Sequence, residues 1–365
     1  MDDGTGGRTI VHVVESALAG VGRHVVDLAH GQAAIGHDVH VVFSPLREDR
    51  RFAHARSTSE HVEFHPLDVE RNPALSDLAA RRRLGGLIDW IGPDVVHAHS
   101  SKAGLLVRSL ARSRPITVLY TPHAVITLNP ELRAWQRRVA AFVERNLARR
   151  TDCVVAVSEH ELDHLHSIGV LRERTSLVPN GIAPIVPRPT SDEVRGELGL
   201  PLGVRVVGFV GRLAAQKNPE ALFAALPWLD ADVQLAFVGD GPLRPRLDGL
   251  ADEESADRIH LLGDRDGHRA MFGFDCLVIP SRYESAPYVA MEARDAGIPV
   301  VTAAGVPGGG EWSGECSIRA ASLSGVDLAA AITSGLTAGS QGEFVDPPTV
   351  EQMVAAVEAL LRHRR

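Results

Sequence analysis

Apolar residues along this chain gather into short runs, and between the runs they recur every three or four positions. The first run, Arg8 to Val14, and the next, Asp38 to Ser44, enclose a helical pattern from Gly22 to Ile35. Strand, helix, strand in that order predicts a parallel sheet. The pattern continues with a helix around Leu75 to Ile91, a strand Asp94 to Ala98, a helix Lys102 to Arg112 and a strand Ile116 to Tyr120. A long helix follows from Glu131 to Arg150, then a strand Asp152 to Val157 and a helix opening at Ser158-Glu159. The segment Ala183-Pro-Ile-Val-Pro-Arg-Pro189 is proline-rich, hence extended and stiff, and marks a domain boundary. Beyond it a second series gives strands Val204 to Val210, Val233 to Val238, Arg258 to Leu262, Cys276 to Ile279 and Ile298 to Thr302, then a last helical pattern from Thr349 to Leu361. These elements predict an α/β protein with an N-terminal domain over 1–182, a second over 183–348 and a closing helix over 349–365.

The long helix carries two readings. Trp135, Val139, Phe142, Val143 and Leu147 stand at core spacing, with Arg133, Arg137, Arg138, Arg145, Arg149 and Arg150 elsewhere. Basic amphipathic helices rest on anionic lipid, which would allow a weak peripheral membrane contact. Glu131 and Glu144 interrupt the charge, so a solvated face on a core helix is the plainer expectation.

Composition narrows the function classes. A chain of 365 residues, 44% hydrophobic and 23% charged, is long enough for two full cores, and no apolar run approaches the length of a membrane span. The opening MDDGTGGRTI lacks a charged-then-apolar leader, so a cytoplasmic protein is expected, with any membrane attachment peripheral at the inner face. Cys153, Cys276 and Cys316 are far apart and odd in number, which favours buried thiols over disulfides or a metal cage. The formal charge of −8 argues against nucleic-acid binding. Residues 1–185 carry 22 basic and 21 acidic side chains and the remainder 16 and 25, so the net charges are +1 and −9. The near-neutral first half permits an anionic acceptor or surface without demanding one.

The candidate chemistry concentrates in Pro280 to Val301, PSRYESAPYVAMEARDAGIPVV. A strand ends in a polar turn, a helix begins near Pro287, and Gly297 with Pro299 stops it. Glu284 in the loop and Glu292 in the helix are separated by seven residues, so both carboxylates can face one pocket and accept hydrogen bonds from vicinal hydroxyls. Backbone N–H groups around Ala286, Pro287, Tyr288 and Val289 sit at a helix start, which suits a diphosphate. In Gly211-Arg212-Leu-Ala-Ala-Gln-Lys217-Asn218-Pro219, Asn218 is the expected cap and Pro219 the first helical residue. Arg212 as a fork and Lys217 as a point charge then form a phosphate clamp beside that helix, although such a pair is also an ordinary surface ion cluster. Gly20 and Gly22 stand at a strand-to-helix turn where backbone can approach a phosphate or sugar. A nicotinamide enzyme would want a glycine where Val25 stands and an acid at the strand end held by Val42, Phe43 and Ser44. His97, His99, Ser100, Ser101 and Lys102 fall at another strand end, and His123 just past a third; the bland alternative for them is a strand end and a solvated helix start.

The frame S-R-Y-E-S-x-P-Y-V-x-x-E-A-x-x-x-G-x-P-V-V, with Ser281, Pro287, Ala293, Gly297 and Pro299 in place, resembles the signature of family 4 retaining glycosyltransferases of the GT-B fold. The resemblance runs from the Gly20/Gly22 turn to the closing helix and is sharpest from Val204 to Val301. It implies two Rossmann-like doubly wound domains facing a central cleft, with a nucleoside diphosphate sugar held mainly by the second and the acceptor by the first. The closing helix would cross back to the first domain. Arg212, Lys217 and the helix amides would neutralise the departing diphosphate, Glu292 would hold the ribose, Glu284 the donor sugar, and His123 would lie near the transferred hexose. Leu262, Gly263 and Arg265 would face the base, Gly20 and Gly22 the diphosphate, and His99, Ser101 and Lys102 the acceptor. GT-B enzymes use cations and helix ends where other folds use a metal, so no metal or cofactor is expected and Asp264-x-Asp266 is discounted as a metal motif. The donor would be a UDP- or GDP-sugar; the acceptor would be a saccharide, a lipid-linked saccharide or a small molecule. Relatives have a two-glycine turn where this chain reads Gly308-Gly309-Gly310-Glu311, which leaves donor choice open. A nucleotide-sugar epimerase, or a non-catalytic partner of another glycosyltransferase, would share the architecture.

Overall fold

The computed structural model describes residues 6–70, 76–110, 115–254, 256–303, 317–339 and 346–362. Gly308, Gly309, Gly310, Glu311 and Cys316 lie outside them. The chain forms two compact units, Met1–Gly181 together with Pro348–Arg365, and Ile182–Pro347.

The first unit carries a seven-stranded sheet: β1 (Thr9–Val14), β2 (Asp38–Phe43), β3 (Val62–Pro66), β4 (Val95–His99), β5 (Thr117–Thr121), β6 (Cys153–Ala156) and β7 (Thr175–Leu177), in the order β3-β2-β1-β4-β5-β6-β7. Every neighbouring pair is parallel. Ile10, Val11, Val13 and Val14 of β1 and Val95, Val96 and Ala98 of β4 are at most 3% exposed, because helices cover both faces. That burial is why these strands read as mostly apolar runs, broken by His12 in β1 and by His97 and His99 in β4. The edge strand β3, Val-Glu-Phe-His-Pro, is buried only in part, and with the helix Arg50–Thr58 it carries too few apolar positions to show in the pattern.

The second unit repeats the plan with β8 (Arg205–Val210), β9 (Val233–Val238), β10 (Ile259–Gly263), β11 (Cys276–Ile279), β12 (Val300–Thr302) and β13 (Ser317–Arg319), in the order β10-β9-β8-β11-β12-β13. Each sheet therefore reverses strand order once, between β1 and β4 and between β8 and β11. Ligands of doubly wound sheets bind outside the carboxyl ends of the strands at that reversal. Cys153 and Cys276 are buried thiols, and burial pushes the Cys276 thiol up to about 12, far from reactive.

The closing helix, Val350–Arg362, packs on the first unit. Met353, Val354, Val357 and Leu361 join Ile10, Leu28, Val95 and Leu119 in one cluster, each such buried side chain contributing about 1.5–3 kcal/mol. Gly31 permits the contact, since a Cβ there would stand 2.5 Å from Val354 Cγ2.

The long helix is Ala134–Ala148, and its orientation overturns the expected core face. Trp135 is 61% exposed, Val139 54% and Phe142 58%, while Glu144, Leu147 and Ala148 point inward. The cause is Arg108, a buried guanidinium on the helix Ser101–Leu110. Its Nη1 and Nη2 donate to Glu144 Oε1 and Oε2 at 2.5 and 3.0 Å, and its Nε donates to the Gly104 carbonyl at 2.9 Å. The guanidinium also lies 3.7 Å from the centre of the Tyr120 ring. A buried cation left unpaired costs more than exposing several apolar side chains, so the helix turns Glu144 to the inside.

Candidate functional site

In the second unit the loop after β8 and the loop after β11 are zipped together. Lys217 Nζ donates to Glu284 Oε1 at 2.5 Å, Gln216 Nε2 to the Tyr283 carbonyl at 3.2 Å, and the Arg282 amide to the Gln216 carbonyl at 2.8 Å. Asn218 corrects its expected capping role: it stands at φ +53°, donates its side-chain amide to the Pro280 carbonyl at 3.3 Å, and leaves Pro219 at the cap position. The helix that follows, Glu220–Ala225, is only six residues long, so its dipole adds little and the cationic side chains carry the anion-binding potential of this loop. Gly239 makes the approach of neighbouring loops possible, since at φ +130° a Cβ would sit 2.1 Å from the Gly211 carbonyl oxygen.

Glu284 is buried beside Lys217, whereas Arg212 on the same loop is exposed and makes no ion pair among the described residues. The hydroxyls of Ser281 and Ser285, on either side of Glu284, are buried with no hydrogen-bond partner among the described residues. Buried hydroxyls left without a partner cost free energy unless something else bonds them. The helix Tyr288–Ala296 starts after Pro287 and ends at Gly297 in the left-handed conformation, φ +73°. Its first turn presents the backbone amides that an anion would meet, and Glu292 is buried one turn further on. At the end of β10, the Gly263 carbonyl accepts from the Gly239 amide at 2.8 Å and the Leu262 carbonyl from Arg265 Nε at 3.4 Å. Asp266 caps the helix Gly267–Met271 by accepting from the His268 and Arg269 amides.

In the first unit five histidines converge at the β1/β4 reversal: His12 on β1, His97 and His99 on β4, His123 after β5, and His24 on the helix Ala19–Ala34. Register sets this up. His12 pairs with His97, and the two-residue period of a strand puts His97 and His99 on one face, their rings 4.1 Å apart. His12 Nε2 bonds Gln32 Oε1 at 2.8 Å, His12 Nδ1 meets His99 Nε2 at 3.0 Å, and His99 Nδ1 meets His123 Nε2 at 3.1 Å. His24 Nδ1 bonds Asn180 Oδ1 at 3.0 Å and His97 Nε2 bonds Thr121 Oγ1 at 2.8 Å. His24, His99 and His123, and likewise His12, His97 and His99, bring ring nitrogens within 4.8 Å of one another, close enough for a transition metal. His99 belongs to both trios, and both its nitrogens are engaged by other imidazoles.

Burial lowers the imidazole pKa throughout this cluster, to about 4 for His12 and His24 and well below the usual range for His97, His99 and His123. An unfolded chain takes up protons on these groups as pH falls through 6.5, while folded His12 and His24 wait until about 4. Their contribution to stability is therefore complete above pH 6.5 and is lost progressively toward pH 4. Urea midpoints measured at pH 7.5 and pH 5 should show the drop, and equal midpoints would contradict neutral burial.

The strained backbone lies beside these loops. Among the described residues, the non-glycine positions with positive φ are Ala19, Ser100, His123, Ala124 and Asn218, each worth about 1–3 kcal/mol of strain. Glu161, fully buried, holds the His123 turn: Oε1 accepts from the Ala124 and Val125 amides at 2.8 and 3.1 Å, and Oε2 from Val157 at 3.0 Å. Each such charged hydrogen bond is worth about 1.5–3 kcal/mol. Glu161→Ala should lower the melting temperature and raise amide exchange at Ala124 and Val125; unchanged exchange there would remove Glu161 as the anchor.

Several residues expected to meet a ligand have partners within the first unit. His99 is fully buried, with one ring nitrogen against His12 and the other against His123. Lys102 is bound to the Glu70 carbonyl and, at 2.8 Å, to Asp77, which ties its helix in place; Ser101 is the first residue of that helix. Gly20 and Gly22 lie inside the first turn of the helix Ala19–Ala34, and a Cβ on Gly22 would stand 2.7 Å from the Ala17 carbonyl, so this glycine serves the chain's own close packing. His12, His24, Gln32 and Glu161 were not singled out by the sequence, where each reads as an ordinary core or helix position.

Two doubly wound parallel sheets, each with polar and charged side chains gathered at its strand-order reversal, define a protein of two Rossmann-like domains. Residues 19–181 match the glycosyl transferase 4-like domain and residues 204–338 the domain named glycosyl transferases group 1, and the chain belongs to the family 4 glycosyltransferases of the GT-B fold. A D-inositol 3-phosphate glycosyltransferase of Corynebacterium efficiens is 31% identical over 249 residues, 60% of this chain and 58% of that protein. A UDP-Gal:alpha-D-GlcNAc-diphosphoundecaprenol alpha-1,3-galactosyltransferase of Escherichia coli is 30% identical over 223 residues, 57% of each chain. The chain thus spans under three-fifths of the length of these curated relatives. The crystal structure of Anabaena Alr3699/HepE in complex with UDP and glucose superposes with a TM-score of 0.80 at 19% identity, covering 98% of this chain and 100% of that one, a likeness of fold.

Proposed function

We propose that this protein transfers a sugar from a nucleoside diphosphate sugar to an acceptor hydroxyl with retention of anomeric configuration. The Lys217–Glu284 pair at the β8/β11 reversal, flanked by the unpartnered Ser281 and Ser285 hydroxyls, carries this reading. In it Lys217 and the exposed Arg212 stabilise negative charge on the departing diphosphate, together with the first-turn amides of the helix Tyr288–Ala296. Glu284 orients the donor sugar, Glu292 holds the ribose diol, and His123 faces the transferred sugar. The leaving phosphate takes the acceptor proton on the same face. Cations do the work of a divalent ion, so turnover should survive a chelator. The donor is a UDP-sugar, in keeping with the UDP bound by the fold neighbour.

Incubation with UDP-sugars and a panel of saccharide, lipid-linked and small-molecule acceptors tests the reaction. Acceptor-dependent release of diphosphate, with a product whose anomeric coupling matches the donor, supports it; epimer formation without an acceptor overturns it.

The helix Ala134–Ala148 supports work at the cytoplasmic face of an anionic membrane. No helix among the described residues is long and apolar enough to cross a bilayer. Trp135, Val139 and Phe142 form an exposed apolar strip with Arg138, Arg145 and Arg149 beside it, and of the two acids that spoke for a plain solvated face Glu144 is buried while Glu131 stays exposed ahead of the helix. Sedimentation with phosphatidylglycerol vesicles should pull the protein down, less so at high salt and less again for the double variant Trp135→Ser/Phe142→Ser. Equal binding of the double variant would sink the membrane reading.

A further inference from the structure

The histidine cluster contains a chain of hydrogen bonds with a direction. Glu358 on the closing helix accepts from Gln32 Nε2 at 2.9 Å and from His37 Nε2 at 3.1 Å. His37 Nδ1 in turn accepts from the Arg8 amide at 3.0 Å, so the proton of His37 sits on Nε2. A carboxylate only accepts, so Gln32 must present its NH₂ to Glu358 and its carbonyl oxygen to His12. That oxygen requires a proton on His12 Nε2 and leaves His12 Nδ1 as an acceptor. His99 must then donate from Nε2 to His12 and accept at Nδ1, and His123 must donate from Nε2 to His99.

We propose that Glu358 is a positioning residue that fixes which nitrogen of His123 bears the proton, acting through Gln32, His12 and His99. It leaves His123 Nδ1 with a bare lone pair. If His123 faces the donor sugar, as the functional reading above has it, that lone pair accepts from a sugar hydroxyl and repels a phosphoryl oxygen. The site then distinguishes the two ends of a nucleoside diphosphate sugar at one ring nitrogen. Burial keeps His12, His99 and His123 neutral at working pH, which gives each ring a single proton and the chain a definite direction. Glu358 lies 326 residues from Gln32 in sequence, so the last helix sets the state of a residue after β5.

The replacement Glu358→Gln separates this from a packing role. With His37 held by the Arg8 amide, the oxygen of the introduced amide stays on His37 and its NH₂ faces Gln32, which must turn over and donate to His12 Nε2. Every imidazole down the line then reverses. Long-range ¹H–¹⁵N spectra of histidine-labelled protein at pH 7.5 read the tautomers directly, with His123 assigned by its own substitution. We expect Nε2–H at His12, His99 and His123 in the unaltered protein, and a shift toward Nδ1–H in Glu358→Gln. Exchanging the two groups, Gln32→Glu with Glu358→Gln, lets the new amide donate to the new carboxylate, so the original tautomers should return.

Nδ1–H at His123 in the unaltered protein would overturn the proposal. So would a folded Glu358→Gln variant that keeps all three tautomers, or an exchange variant that fails to restore them. Should Glu358→Gln not fold, as judged by circular dichroism, the unaltered protein and the exchange variant still decide. Turnover should fall about tenfold in Glu358→Gln, the worth of one hydrogen bond to the ligand, and recover in the exchange variant. The tautomers are read without substrate, so a failure of the transferase reading leaves this test intact.

Discussion

Lys217→Ala should lower kcat for sugar transfer by about 10²–10³-fold, roughly 3–4 kcal/mol of transition-state stabilisation. The ammonium already sits in the site, 2.5 Å from Glu284, and the diphosphate gains its extra negative charge only as the glycosidic bond breaks. An interaction that strengthens during the reaction shows in kcat, whereas one equally strong in the bound donor shows in KM alone. Lys217→Arg keeps a charge and should retain more activity than alanine. Because removing Lys217 leaves Glu284 buried without its cation, Lys217→Ala/Glu284→Gln serves as the stability control. A variant with normal kcat and a raised KM would show that Lys217 only holds the ground-state donor.

Glu144→Ala should be the most destabilising single change in the first unit, at about 3–5 kcal/mol, since it strands a guanidinium that is 1% exposed. Arg108 keeps its bond to the Gly104 carbonyl and its position over Tyr120, but both Nη groups lose their acceptors. Replacing the pair together, Arg108→Met/Glu144→Leu, should recover most of the loss, because two apolar side chains of similar size carry no desolvation penalty. Urea unfolding of the single and double variants checks this. A double variant as unstable as the single one would mean that the stacking on Tyr120 matters more than the charge pair.

The central strands were legible in the sequence because sheets covered on both faces demand mostly apolar runs, which β8 and β11 supply and which β1 and β4 supply around His12, His97 and His99. Edge strands β3 and β13 need apolar residues on one side only and left no such trace. The rotation of the helix Ala134–Ala148 was illegible for a different reason. Its apolar spacing is real, but the inward face is chosen by Arg108 on another element, and periodicity within one helix holds no information about a partner 36 residues away. Lys217 and Glu284, which the fold pairs, could be picked out in the sequence because each stands in a loop with a recognisable frame. His12, Gln32 and Glu358 were not, since their roles exist only once the register of β1 against β4 and the docking of the closing helix have brought them together.

The first unit is discontinuous: its last helix is made after the whole of the second unit. During synthesis the nascent chain therefore waits, with Ile10, Leu28 and Leu119 lacking their covering side chains, while some 166 further residues (182 through 347) leave the ribosome. Loss of the codons for Val350–Arg362 would act on the earliest-made part of the protein, so a stop placed before this helix should give insoluble product in place of a shortened protein.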